Sequence, residues 1–280
     1  MTVSEHTRTS PLVAVAGSDG PAPGEGTRGE AADRSIVGRL DAILAAFEDH
    51  DRALSLGEIS HRVQLPKSTV HRLAEQLCSV GWLQRNSGGY RVGLKLLQLG
   101  GVALQRNSLR ERAYRHIYPL AVRTGLAVQL AILDHGAVVY LERVVLAGFG
   151  LPTRVGGREP AYCTALGKAM LAFEDEPTRS AALADMPRRT ASTITDPRAM
   201  RAELEAVRRT GFAVDRGEGY RDLACVAAPI RSSGRSIGAV SVSGPLGRVR
   251  PQALIQEVRN VAAAVWEGRA APFPPLPAAL

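Results

Sequence analysis

Residues 65–72 read Leu65-Pro66-Lys67-Ser68-Thr69-Val70-His71-Arg72. Pro66 suits the first position of a helix, where its missing amide proton costs nothing. From there Val70, Leu73, Leu77 and Val80 recur at helical spacing and share one stripe. Ser68, Thr69, His71, Arg72 and Gln76 are left on the other side or near the N-terminal end. Upstream, Ser55 and Glu58 stand three apart as a capping box, opening a helix with Ile59 and Val63 on its inner side. Arg62 to Leu65 form the turn between the two helices. A further helix is expected over 35–48, with Ile36, Leu40, Ile43, Leu44 and Phe47 along one stripe. Downstream, Gly81 stops the third helix. Trp82–Arg85 and Tyr90–Val92 read as short strands joined by Asn86-Ser87-Gly88-Gly89, a sequence that tolerates positive φ.

Helix, turn, helix and hairpin make a winged helix-turn-helix. The third helix has the chemistry to enter a major groove N-terminal end first. Lys67 and Arg72 can meet phosphate or guanine, Ser68 and Thr69 can donate to phosphate or bases, and His71 can do either. Arg85 and Arg91 on the wing can grip the flanking backbone. The plainer alternative is a small helical bundle with a solvated polar face. The hairpin and its basic tips favour DNA.

Net charge adds little to that case. The chain has 280 residues and a formal charge of +8, but residues 1–33 contribute −3, residues 34–98 contribute +3 and residues 99–280 contribute +8. Most of the basic excess therefore lies outside the DNA-binding segment and speaks for solubility and general polyanion affinity. No apolar run reaches the ~18 residues that span a bilayer. No basic-then-apolar signal opens the chain. The three cysteines, Cys78, Cys163 and Cys225, are too scattered for a disulfide framework, which fits a reducing cytoplasm.

The organisation expected along the chain is a disordered Gly/Ala/Pro-rich tail (1–33), the winged helix-turn-helix (34–93), a linking helix (94–108), a second domain (109–270) and a Pro-rich tail (271–280). In the linking helix Leu94, Leu97, Gly101 and Leu104 share a side. The second domain alternates strands and helices, which predicts an α+β or α/β layer structure. Val128–Leu133 and Val138–Leu141 form a hairpin around Asp134-His135-Gly136, with further strands at 225–230 and 237–243. Helices are expected at 110–123, 164–173, 178–184, 198–209 and 251–266.

Ser241 and Ser243 are two apart on an otherwise apolar strand, so both hydroxyls face one side, with Ile237 and Ala239; Val240 and Val242 take the other. Buried hydroxyls need partners. Neighbouring backbone would serve, and so would a polar ligand. Asp215 and Cys225 lie just upstream, and Thr164-Ala165-Leu166-Gly167-Lys168 opens a helix whose first amides attract a carboxylate. Together these groups make a candidate pocket for a small organic acid.

No catalytic or cofactor motif is complete, and no cofactor or metal is expected. Gly167-Lys168 is no phosphate loop, because position 162 is Tyr and Ala169 replaces the magnesium-binding hydroxyl. Gly148-Phe149-Gly150 lacks the third glycine of a dinucleotide fingerprint. Neither Cys163 nor Cys225 has a base nearby in sequence, so both read as small buried apolar residues, as does Cys78. His135 reads as a solvated turn residue.

Five segments in order carry a resemblance: 65–73, Tyr90-Arg91-Val92-Gly93, Cys163 to Ala169, Cys225-Val226-Ala227-Ala228-Pro229-Ile230, and Ser241-Val242-Ser243-Gly244-Pro245. From about residue 34 to 268 the chain resembles the IclR family of bacterial transcriptional regulators. The resemblance implies an α+β chain with a winged helix-turn-helix, a linker helix and a GAF-like effector domain with a curved antiparallel sheet. It implies a homodimer through the N-terminal domains, often paired into a tetramer, on a near-palindromic operator in double-stranded DNA. It also implies a small carboxylate or aromatic-acid effector. Carried over by motif, the backbone at Ala165 and Leu166 would hold the carboxylate, Asp215, Cys225, Ser241 and Ser243 would complete the polar pocket, and Leu151 would form an apolar wall. Glu159-Pro160-Ala161-Tyr162 departs from the family, which more often has an apolar residue, Pro, Leu and His there. The rival readings are an enzyme or metabolite-binding module with an incidental basic helix, and a subunit that docks a protein through the wing.

Overall fold

The computed structural model describes residues 35–48, 52–105, 107–146 and 150–267. The two expected tails, and Gly148 and Phe149, lie outside the described residues.

The N-terminal part is built as the periodicities require. Helices α1 (Ile36–Ala45), α2 (Leu56–Val63) and α3 (Lys67–Ser79) bury Ile43, Ile59, Val70, Leu73, Ala74 and Leu77 in one core. The capping box is formed: Ser55 Oγ accepts from the Glu58 amide and the Glu58 carboxylate accepts from the Ser55 amide. Arg52 hydrogen-bonds the same carboxylate and, with the capping amide, holds its pKa down to about 2. Gln64 ends α2 in the left-handed region at φ 53°, its side chain donating to the His61 carbonyl, while Ser60 donates to the Leu65 carbonyl at 2.6 Å. These bonds fix the turn. Pro66 is the N-cap, one residue before the expected position, because α3 starts at Lys67. Val80 is exposed rather than part of the buried stripe, since α3 ends before it; Ala74 fills that place. Ile36 is also exposed, at the first position of α1.

Strands β1 (Leu83–Asn86) and β2 (Gly89–Val92) pair with Asn86 opposite Gly89. The turn is thus the two residues Ser87-Gly88, tighter than the four expected, because Gly89 at φ 121° continues the ladder. A bridge between Leu54 and Tyr90 ties the wing to the residues before α2.

Helix α4 (Leu94–Gln105) follows and buries none of its residues. Its expected apolar side is solvent-facing at Leu94 and Leu97. Helix α5 (Ser108–Thr124), capped by Asn107, leads into the second unit. Then come β3 (Ala127–Asp134), β4 (Ala137–Val144), β5 (Arg158–Pro160), a 3-10 turn at Ala161–Cys163, α6 (Ala165–Leu171), α7 (Glu176–Ala182), α8 (Pro197–Thr210), β6 (Ala213–Arg216), β7 (Leu223–Ser232), β8 (Arg235–Pro245) and α9 (Pro251–Glu267).

The strands form one antiparallel sheet in the order β5-β4-β3-β8-β7-β6, curved by bulges at Leu130/Ala131 and Ile230/Arg231. The fold is the expected α+β arrangement with mixed helices on a curved antiparallel sheet. One face packs Val128, Leu130, Val240 and Val242 against α5 and α9. The other packs Ala131, Tyr140, Ala227 and Ala239 against α6 and α8. Ile237 is a correction. It lies with Val240 and Val242, not with Ala239, because the bulge adds one residue to β8 and inverts the alternation before Gly238. The β3–β4 turn is His135-Gly136, both at positive φ. Strands β5 and β6 were not expected; each is too short to show period-2 patterning.

Candidate effector cavity and DNA-binding face

The exposed side of α3 carries Lys67, Ser68, His71 and Arg72, with Thr69 half-buried at its first turn. Among the described residues neither Lys67 nor Arg72 has an ion-pair partner, so both are available to phosphate or base. Arg85 and Arg91 are exposed on the wing. Glu75, not singled out from sequence, organises the surface. It accepts from Tyr90 Oη at 2.9 Å and from Arg85 at 3.3 Å, and lies 3.9 Å from His71. Arg85 also sits over the Tyr90 ring, 5.8 Å from its centroid. One carboxylate thereby joins α3 to the wing. The only prior sign was its helical spacing, four after His71.

In the second unit the seven residues expected around a ligand, Leu151, Ala165, Leu166, Asp215, Cys225, Ser241 and Ser243, all line one cavity of about 30 Å3. That space holds a water molecule or two. The serine hydroxyls face it because Ser241 pairs with Gln129 and Ser243 with Ala127 across β3–β8, and with Ala227 and Cys225 across β7–β8. Within the chain their partners are side chains. Ser243 donates to Gln129 Oε1 at 3.0 Å, Ser241 lies 3.4 Å from Ser243, and Gln129 Nε2 donates to Thr153 Oγ1 at 2.6 Å. Gln129 and Thr153 were missed, although Gln129 is the lone polar residue in the apolar run of β3.

Thr164 caps α6 by accepting from the Gly167 amide, which sets Ala165 and Leu166 at the cavity wall. Tyr220 closes another side. Its hydroxyl donates to Glu159, which also faces Arg189 at 3.4 Å. Burial, reinforced by Glu159, holds the Tyr220 hydroxyl well above its ordinary pKa. Glu159 thus has a structural partner set, which accounts for a charged residue where the family usually has an apolar one. Burial pushes the Cys163 thiol up to about 12, and the Cys225 thiol up as well, so neither is a thiolate at neutral pH.

Behind the cavity lies a buried ion cluster. Lys168 is fully buried; its Nζ donates to Glu218 Oε1 at 2.6 Å, to the Val214 carbonyl at 2.7 Å and to Glu203 Oε1 at 3.0 Å. Asp215 Oδ1 accepts from the Glu218 amide at 2.7 Å. Burial raises the Asp215 carboxyl to about 7, with the neighbouring Glu218 charge adding to the shift. Gly167 is required beside it, because a Cβ there would enter the Ala161 backbone. The Gly167-Lys168 pair is therefore a packing and charge-pairing device.

A winged helix-turn-helix joined by a helix to an α+β domain enclosing a polar cavity defines a DNA-binding regulator with a ligand-binding domain. Two family models match: the IclR helix-turn-helix domain over residues 37–87 and the bacterial transcriptional regulator IclR C-terminal domain over 101–267. The chain is 31% identical over 220 residues to the Pca regulon regulatory protein of Pseudomonas putida, covering 77% of this chain and 76% of that one. It is 31% identical over 237 residues to the glycerol operon regulatory protein of Streptomyces coelicolor, covering 81% and 93%. Among solved structures, an IclR homolog from Microbacterium hydrocarbonoxydans complexed with 4-hydroxybenzoate superposes with a TM-score of 0.72 at 30% identity, over 83% of this chain and 98% of that one. The chain belongs to the IclR family of bacterial transcriptional regulators. Among its described residues no helix is long and apolar enough to cross a membrane, and no group of His, Cys, Asp and Glu could hold a metal ion.

Proposed function

We propose that this protein is a sequence-specific regulator whose hold on DNA is set by a small organic acid bound in the second domain. The division is the one read from sequence: 34–93 for DNA, 94–108 as link, 109–270 for effector. The single observation that carries the reading is the shared cavity of Leu151, Ala165, Leu166, Asp215, Cys225, Ser241 and Ser243, residues drawn from separate strands, a helix and a loop. A neighbour's complex with 4-hydroxybenzoate supports an acid as the ligand class. The raised thiols, Cys225 in the cavity wall and Cys163 next to its wall residue Thr164, speak against nucleophilic catalysis and for binding alone.

Two copies present two α3 helices to a near-palindromic site. The solvent-facing Leu94, Leu97, Leu99 and Val102 of α4, with Ile36 and Val37 of α1, supply apolar surface for that self-association. Binding of the acid favours one arrangement over another, and effector and DNA affect each other's affinity reciprocally.

The test is fluorescence anisotropy on DNA from immediately upstream of the protein's own gene, with random DNA as control and a salt titration. Preference for the upstream DNA by ~10³ or more is expected. Equal, weak and steeply salt-dependent binding to both would sink sequence-specific recognition of that DNA.

Arg72→Ala is expected to weaken operator binding by roughly 1–3 kcal/mol, with little change on random DNA, as for a base contact. Equal loss on both would make Arg72 a phosphate anchor. Ser241→Ala combined with Ser243→Ala is expected to leave operator binding intact and abolish the effector's influence on it. An unaltered dose curve would place the effector elsewhere.

A further inference from the structure

Asp215 is the one cavity-lining residue, among those described, whose ordinary form at neutral pH carries a charge, and that charge is negative. An organic anion entering the cavity meets a carboxylate and no cation. The nearest ammonium cannot help. A lysine has three N–H donors, and those of Lys168 are engaged by Glu218, Glu203 and the Val214 carbonyl. Three carboxylates, Asp215, Glu218 and Glu203, thus crowd a single buried ammonium. The second carboxylate oxygen of Glu218 is buried with no hydrogen-bond partner among the described residues.

We infer that the cavity takes a monocarboxylic acid together with one proton from solution, held on the Asp215 carboxyl, and that Asp215 thereby sets the charge the ligand may carry. The inference rests on the organic-acid reading above. The step is an association. The acid enters as its carboxylate, a proton from solvent joins Asp215, and the protonated carboxyl donates a hydrogen bond to the incoming carboxylate. No covalent bond forms or breaks in the ligand. Without the proton, two like charges would face each other in a small cavity walled mostly by protein.

The groups facing Asp215 agree with this. Glu218 follows β6, Lys168 projects from α6, Cys225 is its partner on β7 and Cys163 lies in the 3-10 turn. Both thiols are neutral at physiological pH, for burial holds them up. Glu203 on α8 reaches the site through Lys168. Across the cavity, Glu159 of β5 is occupied by Arg189 and Tyr220, and Tyr140 of β4 stays neutral because burial raises it. No described residue lining the cavity supplies a positive charge; the guanidinium next to its wall on β4 is that of Arg143, which pairs opposite Gln129 and donates to the Thr153 carbonyl. Asp215 itself is held at about 7, so the proton is available in the physiological range.

The test is isothermal titration calorimetry of the full-length protein with benzoate, 4-hydroxybenzoate, pyruvate and glyoxylate, each ionised throughout, from pH 6 to 8.5. Paired buffers of different ionisation enthalpy count the protons, and benzamide serves as the uncharged isostere. For any acid that binds, uptake approaching one proton at pH 8 is expected, with Kd rising roughly tenfold per pH unit above about 7. Benzamide, if it binds, should be pH-independent, and Asp215→Asn should flatten the acid's profile. The wild-type proton count decides the matter even if that variant folds poorly. Acids that bind with constant Kd and no proton uptake overturn this inference while leaving the organic-acid reading intact. No binding of any acid at either end of the pH range overturns the organic-acid reading, and the inference with it.

Discussion

Replacing Lys168 with methionine is expected to lower folding stability at pH 7.5 by roughly 3–5 kcal/mol, the usual cost of removing one partner from a buried ion pair. Methionine keeps the unbranched apolar stem and lacks only the ammonium, so the loss is electrostatic more than steric. Glu218 and Glu203 lose their shared ammonium, the Val214 carbonyl loses a donor, and Asp215 loses the nearest favourable charge. The stranded groups are acids, so they can relieve their burial by taking protons. The deficit of the variant should therefore shrink between pH 7.5 and pH 5. Urea unfolding of both proteins at the two values measures this. A loss under about 1 kcal/mol, or one that does not change with pH, would contradict the buried cluster as described.

The second large effect is a pH dependence of stability carried by Asp215. Its carboxyl titrates at about 7 in the folded chain against an ordinary 3.8. A folded-state pKa raised above the unfolded value means that the native state holds the proton more tightly. This contribution is therefore fully present below about pH 4 and is lost as pH rises through 7. That difference corresponds to about 4 kcal/mol at most. Asp215→Asn stays neutral at every pH, so relative to wild type it should gain up to that amount between pH 4 and pH 8. Unfolding curves across this window would show the two proteins diverging. Parallel curves would remove Asp215 from the titrating groups. Exposed carboxylates such as Glu58, held down by Arg52, push the other way in both proteins and cancel in the comparison.

The sequence was most legible where one residue type answers to one physical demand. Ser55 and Glu58 could be read as a capping box because a helix start needs two amides satisfied, and both bonds are present. The serines of β8 could be placed on one face because period-2 alternation holds from Gly238 onward. The same rule failed at Ile237, where one inserted residue reverses every side chain before it and leaves no local trace. Lys168 was harder still. A lysine on a short helix ordinarily points to solvent, and its acidic partners lie 35 and 50 residues away. Gln129 and Tyr220 entered the cavity wall through strand register and loop closure, neither of which a single sequence displays. The motif resemblance located the cavity residues. The charge balance that surrounds them came only from three dimensions.

Glu75 has a consequence for how such a regulator can answer its ligand. By holding Tyr90 and Arg85 it makes the recognition helix and the wing a single rigid tooth, reinforced by the Leu54–Tyr90 bridge. A tooth of fixed profile cannot change which base steps it fits. On the proposed reading, the ligand can alter only the pitch between the two teeth of a pair, and DNA responds to pitch steeply, since half-sites recur once per helical turn of about 34–36 Å. A displacement of a few ångströms would leave each tooth able to engage alone while denying the pair simultaneous engagement. The switch would then be one of phase along the duplex, with the vocabulary of recognised bases unchanged.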